Sequence, residues 1–388
     1  MAETREQDAG RRAAAAARFS ATWRIAAADL REAESVARDI ALEQTVEIPA
    51  DCVPEAVAAA RVVAEIEALV AVPGGFDATL SFREDMVSDG AAGLLNVLHG
   101  NVSLKRGARL VGFAPSPGLL AGFAGPRFGI DGLRRMMAAP RRPLSATAIK
   151  PLGLDARALA RLAGGYARGG VDIVKDDHGV IDQRAAPFEE RIARCQEAVA
   201  AANAATGGHT LYVPMIAGRF DRLESQFSVA RAEGVRAVMV APMLSGPDVV
   251  DTLAARYDLA LIAHPSFAGA ALGDAAQGMT PALLLGTLFR LIGADVSIFP
   301  NAGGRFTFSR ADCQDIARAL RDPMGGIAPA LPSPAGGMGL HQVGEMIDSF
   351  GRDTLLLIGG ALMRHSPDPE RGAAAFREAI EAADATTP

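Results

Sequence analysis

From about residue 144 onward the chain repeats one beat: a short apolar run ends in Gly, Pro or a polar residue, and an Ala-, Leu- and Arg-rich stretch of helical period follows. The runs are LSATAIKP (144–151), VDIVKDD (171–177), HTLYVPMIA (209–217), RAVMVAPM (236–243), LALIAHP (259–265), DVSIFPN (295–301), GIAPALPSPAGG (326–337) and TLLLIGG (354–360). They are continuous rather than alternating, as strands buried on both faces should be. The stretches between them, such as DARALARLAGGYARGG and RLESQFSVARAEG, close on glycine as helices do. Eight such beats predict an α/β fold built on a (β/α)8 TIM barrel, with a doubly wound open sheet as the alternative.

The first 125 or so residues follow another pattern. ARFSATWRIAA, ALEQTVEIP and GGFDATLSFRED read as strands, and EAESVARDIAL and GAAGLLNVLHG as helices. The expected organisation is a disordered or frayed start at 1–15, a smaller α+β domain of ferredoxin-like type at 16–125, and the barrel at 126–388. The Pro- and Gly-rich FAPSPGLLAGFAGPRFG (113–129) is the expected link.

Composition removes several classes of function. Net charge is −6 and no basic run occurs, which argues against nucleic acid and anionic membrane as partners. The start MAETREQDAGRRAAAAARF lacks the apolar core of a signal peptide, and no 18-residue apolar run follows. Cys52, Cys195 and Cys313 are far apart and lack metal-ligand spacing, so they read as reduced, buried thiols of a cytoplasmic protein.

Lysine usage is more pointed. Of 39 basic residues only Lys105, Lys150 and Lys175 are lysines. Arginine keeps its proton at ordinary pH, whereas a desolvated lysine can become a neutral amine. Lys105 stands beside Arg106 in a polar stretch and reads as a surface residue. Lys150 and Lys175 end apolar runs. In a (β/α)8 barrel those ends are where catalysis occurs, and other unusual polar residues collect there: Asp177, His178, His264, and Asn301 leading into NAGGRF. The pairs Gly336–Gly337 and Gly359–Gly360 follow the last two runs, where main-chain N–H groups often bind phosphate. Plain turn chemistry is the competing reading.

These residues resemble a known family. GGVDIVKDDHG (169–179) is similar to the metal-site strand of RuBisCO large subunits, and TAIKPLGL (147–154) to their first catalytic-lysine strand. LLNVLHGNVSL (94–104) and ALEQTVEIP (41–49) resemble their N-terminal active-site segments, and the likeness runs in order from roughly residue 40 to 365. The resemblance implies an N-terminal α+β domain followed by a (β/α)8 barrel. It implies that Lys175 forms a carbamate with CO2 and binds Mg2+ with Asp177 and the residue at position 178. Here that residue is His178 rather than an acid, which opens the site to another divalent ion. Lys150 matches a proton-transfer lysine and His264 a catalytic histidine. Glu43 and Asn101 match residues that reach into the partner's site across a homodimer interface.

The departures matter as much. Pro265, Phe299 and Ala335 stand where the carboxylases carry an arginine, a histidine and a serine for a second phosphate. KPLGL lacks the second lysine of their KPK pattern. In PNAGGRFTFS the lysine that orients CO2 is missing, although Arg305 is nearby. The implied protein is a RuBisCO-like protein (form IV) that enolises a sugar monophosphate and does not fix CO2. The favoured reaction is isomerisation of 5-methylthioribulose 1-phosphate in sulfur salvage, with Phe299 and Pro265 forming an apolar wall for the thioether end. The alternatives are a diketo-methylthiopentyl-phosphate enolase, whose base is a lysine at the position of Asn101, a 3-oxo-isoapionate 4-phosphate decarboxylase, and a non-catalytic binding or regulatory descendant.

Overall fold

The computed structural model describes residues 17–88 and 90–386, so the frayed start expected at 1–15 lies outside the described residues. The chain divides into two compact units, Met1–Phe123 with Ala268–Leu284, and Ala124–Phe267 with Leu285–Pro388. The division falls inside the Pro- and Gly-rich stretch. Residues 268–284, which the strand–helix rhythm assigns to the barrel, group with the first unit instead.

In the first unit, strand β1 (Arg18–Ile25) buries Phe19, Ala21, Trp23 and Ile25 while Arg24 faces out, the period-two pattern of a half-covered sheet. β2 (Glu65–Val72) and β3 (Gly75–Arg83) form a hairpin, and β4 (Ala108–Ala114) pairs with the other side of β1. A Cβ on Gly75 would lie 2.0 Å from the Ile25 carbonyl oxygen, so only glycine fits there. The four strands pair antiparallel in the order β4-β1-β3-β2. With helices Leu30–Glu43 and Gly90–His99 as crossovers, this is the ferredoxin-like arrangement. A two-residue strand from the late segment, β10 (Gly278–Met279), pairs parallel with β4.

Three expectations need correction. ALEQTVEIP is not a strand: its first three residues finish the helix Leu30–Glu43, whose buried Ala33, Ala37, Ile40 and Ala41 continue a helical stripe. Gln44 follows as its C-cap, and its side chain serves the main chain, donating to the carbonyls of Asn96 (3.0 Å) and Val97 (2.7 Å) and accepting from the Val102 N–H (2.9 Å). The second correction concerns the cysteines, because Cys52 is exposed while Cys195 and Cys313 are buried. The third concerns β2 and β4, which sequence reading missed.

The second unit holds β5 (Leu144–Ile149), β6 (Ile173–Asp176), β7 (Leu211–Val213), β8 (Ala237–Val240), β9 (Ala260–Ala263), β11 (Val296–Pro300), β12 (Leu331–Ala335) and β13 (Leu355–Leu357). They form two parallel arcs, β13-β5-β6-β7 and β12-β11-β9-β8. The arcs meet where Met215 bridges to Met239, and where the Ser333 hydroxyl donates to the Leu355 carbonyl at 2.9 Å. The result is the (β/α)8 barrel. Its interior is a single apolar cluster of alternate residues, among them Ala146, Ile173, Val213, Met239, Ile262, Ile298 and Leu357. Helix Gly129–Met136 adds Ile130 and Leu133 to that cluster.

Asp295, just ahead of β11, joins that helix to the N-terminal end of the barrel. Its buried carboxylate accepts from the N–H groups of Phe128 and Gly129 at 2.7 Å each, and of Leu261 at 2.9 Å. Among the described residues, no helix is long and apolar enough to cross a membrane. Asp295→Ala would leave three donors without their acceptor. The expected loss is about 3 kcal/mol or more of unfolding free energy, measured by urea denaturation.

Candidate active site

The barrel strands alternate, and the inward parity can be counted upward from the core. It runs from Leu144 and Ala146 to Lys150, from Ile173 to Lys175 and Asp177, and from Ala260 and Ile262 to His264. Four strand ends therefore face one mouth with ionisable groups or, after β13, with Gly359. Lys150 Nζ lies 2.7 Å from Asp177 Oδ2, and Asp177 Oδ1 lies 3.3 Å from His178 Nδ1. The His178 ring stacks on that of His264, with centroids 4.7 Å apart and planes 12° apart. Lys175 is buried, and its ammonium donates to the Asp176 carbonyl oxygen at 3.0 Å.

Loop geometry settles the tautomer of His264. Its Nδ1 accepts from the Ser266 main-chain N–H at 3.2 Å and lies 2.8 Å from the Ser266 hydroxyl. A backbone N–H can only donate, so Nδ1 carries no proton and the neutral ring bears its proton on Nε2. Burial, with Lys175 and His178 adding to it, brings the His264 pKa down to about 3. Burial also brings Lys175 down to about 8, although Asp177 pulls it back up. For Asp177, burial works upward but is outweighed by the hydrogen bond and charge of Lys150 and by Lys175, which hold the carboxyl below its usual range.

The glycine loops are built by close approach. Asn301 is buried and its N–H donates to the Ala335 carbonyl at 2.8 Å, and the Arg305 N–H donates to the Gly336 carbonyl at 2.8 Å. A Cβ on Gly304 would stand 2.1 Å from that same Gly336 oxygen, and Gly336 and Gly337 both have φ of +96°. These contacts alone require glycine there. Phe306 packs on Gly336, and the Arg305 side chain on Gly337. A Cβ on Gly359 would be 3.8 Å from Lys150 Nζ, so the loop after β13 runs beside that lysine, and Gly360 opens helix Gly360–His365. Glu43 and Asn101 belong to the first unit, where Asn101 Nδ2 donates to Glu43 Oε1 at 3.0 Å. Lys105 forms ion pairs there with Asp39 and Glu43.

One expected contact is overturned. Phe299 cannot be part of an apolar wall at the mouth. Val296 and Ile298 occupy the inward face of β11, so Ser297 and Phe299 point into the helix layer. Ser297 bonds to the Leu285 carbonyl at 2.6 Å, and Phe299, fully buried, packs edge-on against Phe350 with centroids 6.0 Å apart. Pro265 remains half-buried in the loop after β9. Sequence reading also missed Ser266, whose signal was a hydroxyl two residues after the histidine, and the partners of Asp176 described below.

Among the described residues no three His, Cys, Asp or Glu side chains are grouped to hold a metal ion. Asp177 and His178 offer two donors side by side, and the adjacent Lys175 is the group that could supply a third, once its amine is converted to an oxygen ligand. The electrostatics predict a pH signature. His264 binds a proton near pH 3 when folded and near 6.5 when unfolded, so the unfolded state takes up more protons between those values. Its contribution to stability is complete above about pH 6.5 and is lost as pH falls toward 3. ¹⁵N NMR should show His264 as a single neutral tautomer from pH 5 to 8; an imidazolium in that range would contradict the geometry.

Comparison with known proteins points the same way. The profile of the family described as "Ribulose bisphosphate carboxylase large chain, catalytic domain" matches residues 129–304. A 5-methylthioribulose-1-phosphate isomerase of Rhodospirillum rubrum is 38% identical over 369 residues, 94% of this chain and 97% of that protein. A 2,3-diketo-5-methylthiopentyl-1-phosphate enolase of Geobacillus kaustophilus is 35% identical over 315 residues, 80% of this chain and 75% of the enolase. The crystal structure of a RuBisCO-like protein from Rhodopseudomonas palustris superposes with a TM-score of 0.86 at 38% identity, covering 96% of this chain and 99% of the other. With its ferredoxin-like unit, its barrel and a likeness that spans nearly its whole length, the chain belongs to the RuBisCO large-chain family as one of the RuBisCO-like proteins.

Proposed function

We propose that the protein is a non-carboxylating enzyme that moves a proton next to a carbonyl of a sugar monophosphate, with 5-methylthioribulose 1-phosphate as substrate and isomerisation as outcome. The observation that carries this reading is the grouping of Lys150, Lys175, Asp177, His178 and His264 at one barrel mouth, with a buried amine brought toward neutrality. The name and near full-length coverage of the Rhodospirillum relative support the choice of substrate. The Geobacillus relative favours the enolase reading, but Asn101 stands where that reading needs a lysine, and its amide nitrogen has no basic lone pair and already donates to Glu43.

In this reading the neutral amine of Lys175 attacks CO2, forming an N–C bond and releasing one proton, and the carbamate oxygen with Asp177 and His178 would hold Mg2+ or another divalent ion. When bound, that ion acts as a Lewis acid toward the substrate carbonyl. The chain's own groups do the rest. Lys150, held by Asp177, carries a proton at Nζ toward and away from the substrate carbon or oxygen. His264, neutral and fixed by Ser266, offers Nε2–H to a substrate oxygen without competing for protons. Gly336, Gly337, Gly359 and Gly360, with Asn301 and Arg305, receive the single phosphate. Pro265 stands in place of the arginine that would receive a second one. Glu43 and Asn101 complete the site of a partner subunit in a homodimer.

The decisive experiment supplies 5-methylthioribulose 1-phosphate in D2O with Mg2+ and bicarbonate. Deuterium at carbon and isomerised product are expected, and the absence of both would sink the reading. Lys150→Met should slow the exchange by about 100-fold or more with the fold intact. Activation by bicarbonate should rise with pH through about 8, as Lys175 loses its proton; activation that is flat from pH 7 to 9 would argue against a carbamate.

A further inference from the structure

The strand end that carries Lys175 and Asp177 is held from behind. Asp176, between them, points the opposite way into the helix layer, where its side chain and that of Arg191 are both fully shielded from solvent. Asp176 Oδ2 accepts from Arg191 Nε at 3.1 Å and from the Met215 N–H at 3.0 Å, and Oδ1 accepts from the Tyr212 hydroxyl at 2.9 Å. Arg191 continues outward, with Nη1 donating to the Ala186 carbonyl at 3.1 Å and its guanidinium 5.3 Å from the centre of the Phe188 ring. One carboxylate thus ties together the end of β6, strand β7 with the residues just after it, and, through Arg191, the loop that runs on from His178.

A buried ion pair of this kind is a poor stabiliser, because apolar residues of similar volume commonly hold a fold as well or better. What it supplies is direction. Residues 175 and 177 face the mouth only while residue 176 faces out, and Lys175 closes the arrangement by donating back to the Asp176 carbonyl. Burial raises the Asp176 carboxyl above its ordinary range, against the opposing pull of the Arg191 guanidinium and the Met215 and Tyr212 donors. A neutral Asp176 would leave the Arg191 cation buried without its counter-ion.

We propose that Arg191 and Tyr212 are positioning residues that, acting through Asp176, set Lys175 and Asp177 at the barrel mouth. This rests on the reading of that mouth as the active site. The test is the double variant Asp176→Leu/Arg191→Met, which removes both buried charges at once so that the fold can persist, compared with Arg191→Lys and Tyr212→Phe. The first readout needs no metal: the rate at which cyanate labels Lys175, followed by peptide mass spectrometry. The double variant should label several-fold faster, and Arg191→Lys, which keeps the charge, should return part of the way. The second readout is Mn2+ affinity with bicarbonate present, which should weaken by about 10- to 100-fold.

A double variant that folds and keeps the wild-type labelling rate and Mn2+ affinity would overturn the inference, whatever its melting temperature. If that variant fails to fold, unchanged labelling in both single variants would overturn it equally. If the wild-type protein binds no Mn2+, the metal-site reading fails, while the labelling rates still decide whether Arg191 and Tyr212 position the lysine.

Discussion

Side-chain alternation along eight short strands is the constraint on which this molecule depends. Each barrel strand sends every second residue inward, and near its middle those residues are Ala, Val, Ile, Leu and Met packed into one cluster. Two to four residues further along, the same parity brings Lys150, Lys175, Asp177 and His264 to a common mouth. The core and the chemistry are successive layers of one pattern. A slip of a single residue in β6 would turn Asp176 inward and send Lys175 and Asp177 outward into the helix layer.

The same rule explains what could be read from the sequence and what could not. The eight barrel strands are continuous apolar runs because helices cover one face and the core the other, and that makes them conspicuous. The edge strand β2 is only half-covered along its length, so its pattern is faint and it was missed. Residues 41–49 alternate weakly, yet the tertiary contacts of Gln44 and the apolar stripe of the helix before it decide the outcome there. The polar residues at strand ends could be picked out by type and place. The facing of Phe299 could not, because it depends on register, which the letters of a short buried strand do not reveal.

The three lysines divide along physical lines. Lys105 is paired with the carboxylates of Asp39 and Glu43. Lys150 is half-exposed and shares a proton-rich contact with Asp177. Lys175 is buried beside a carboxylate, with a second lysine close enough to disfavour its charge. Arginine could serve the first role but not that of Lys175, since it does not give up its proton.

The two-residue strand Gly278–Met279 pairs with Arg109 and Leu110, residues made far earlier in the chain. The first unit is therefore not a stretch that can finish as it leaves the ribosome. Its sheet waits with one flank of β4 unpaired while five barrel strands are synthesised, a delay on the order of ten seconds at usual elongation rates. For that interval β4 is a bare edge of the kind that recruits foreign strands. The late segment thus acts as a seal on the nascent protein, and the order in which the ribosome delivers the chain becomes part of how the fold avoids association with its neighbours.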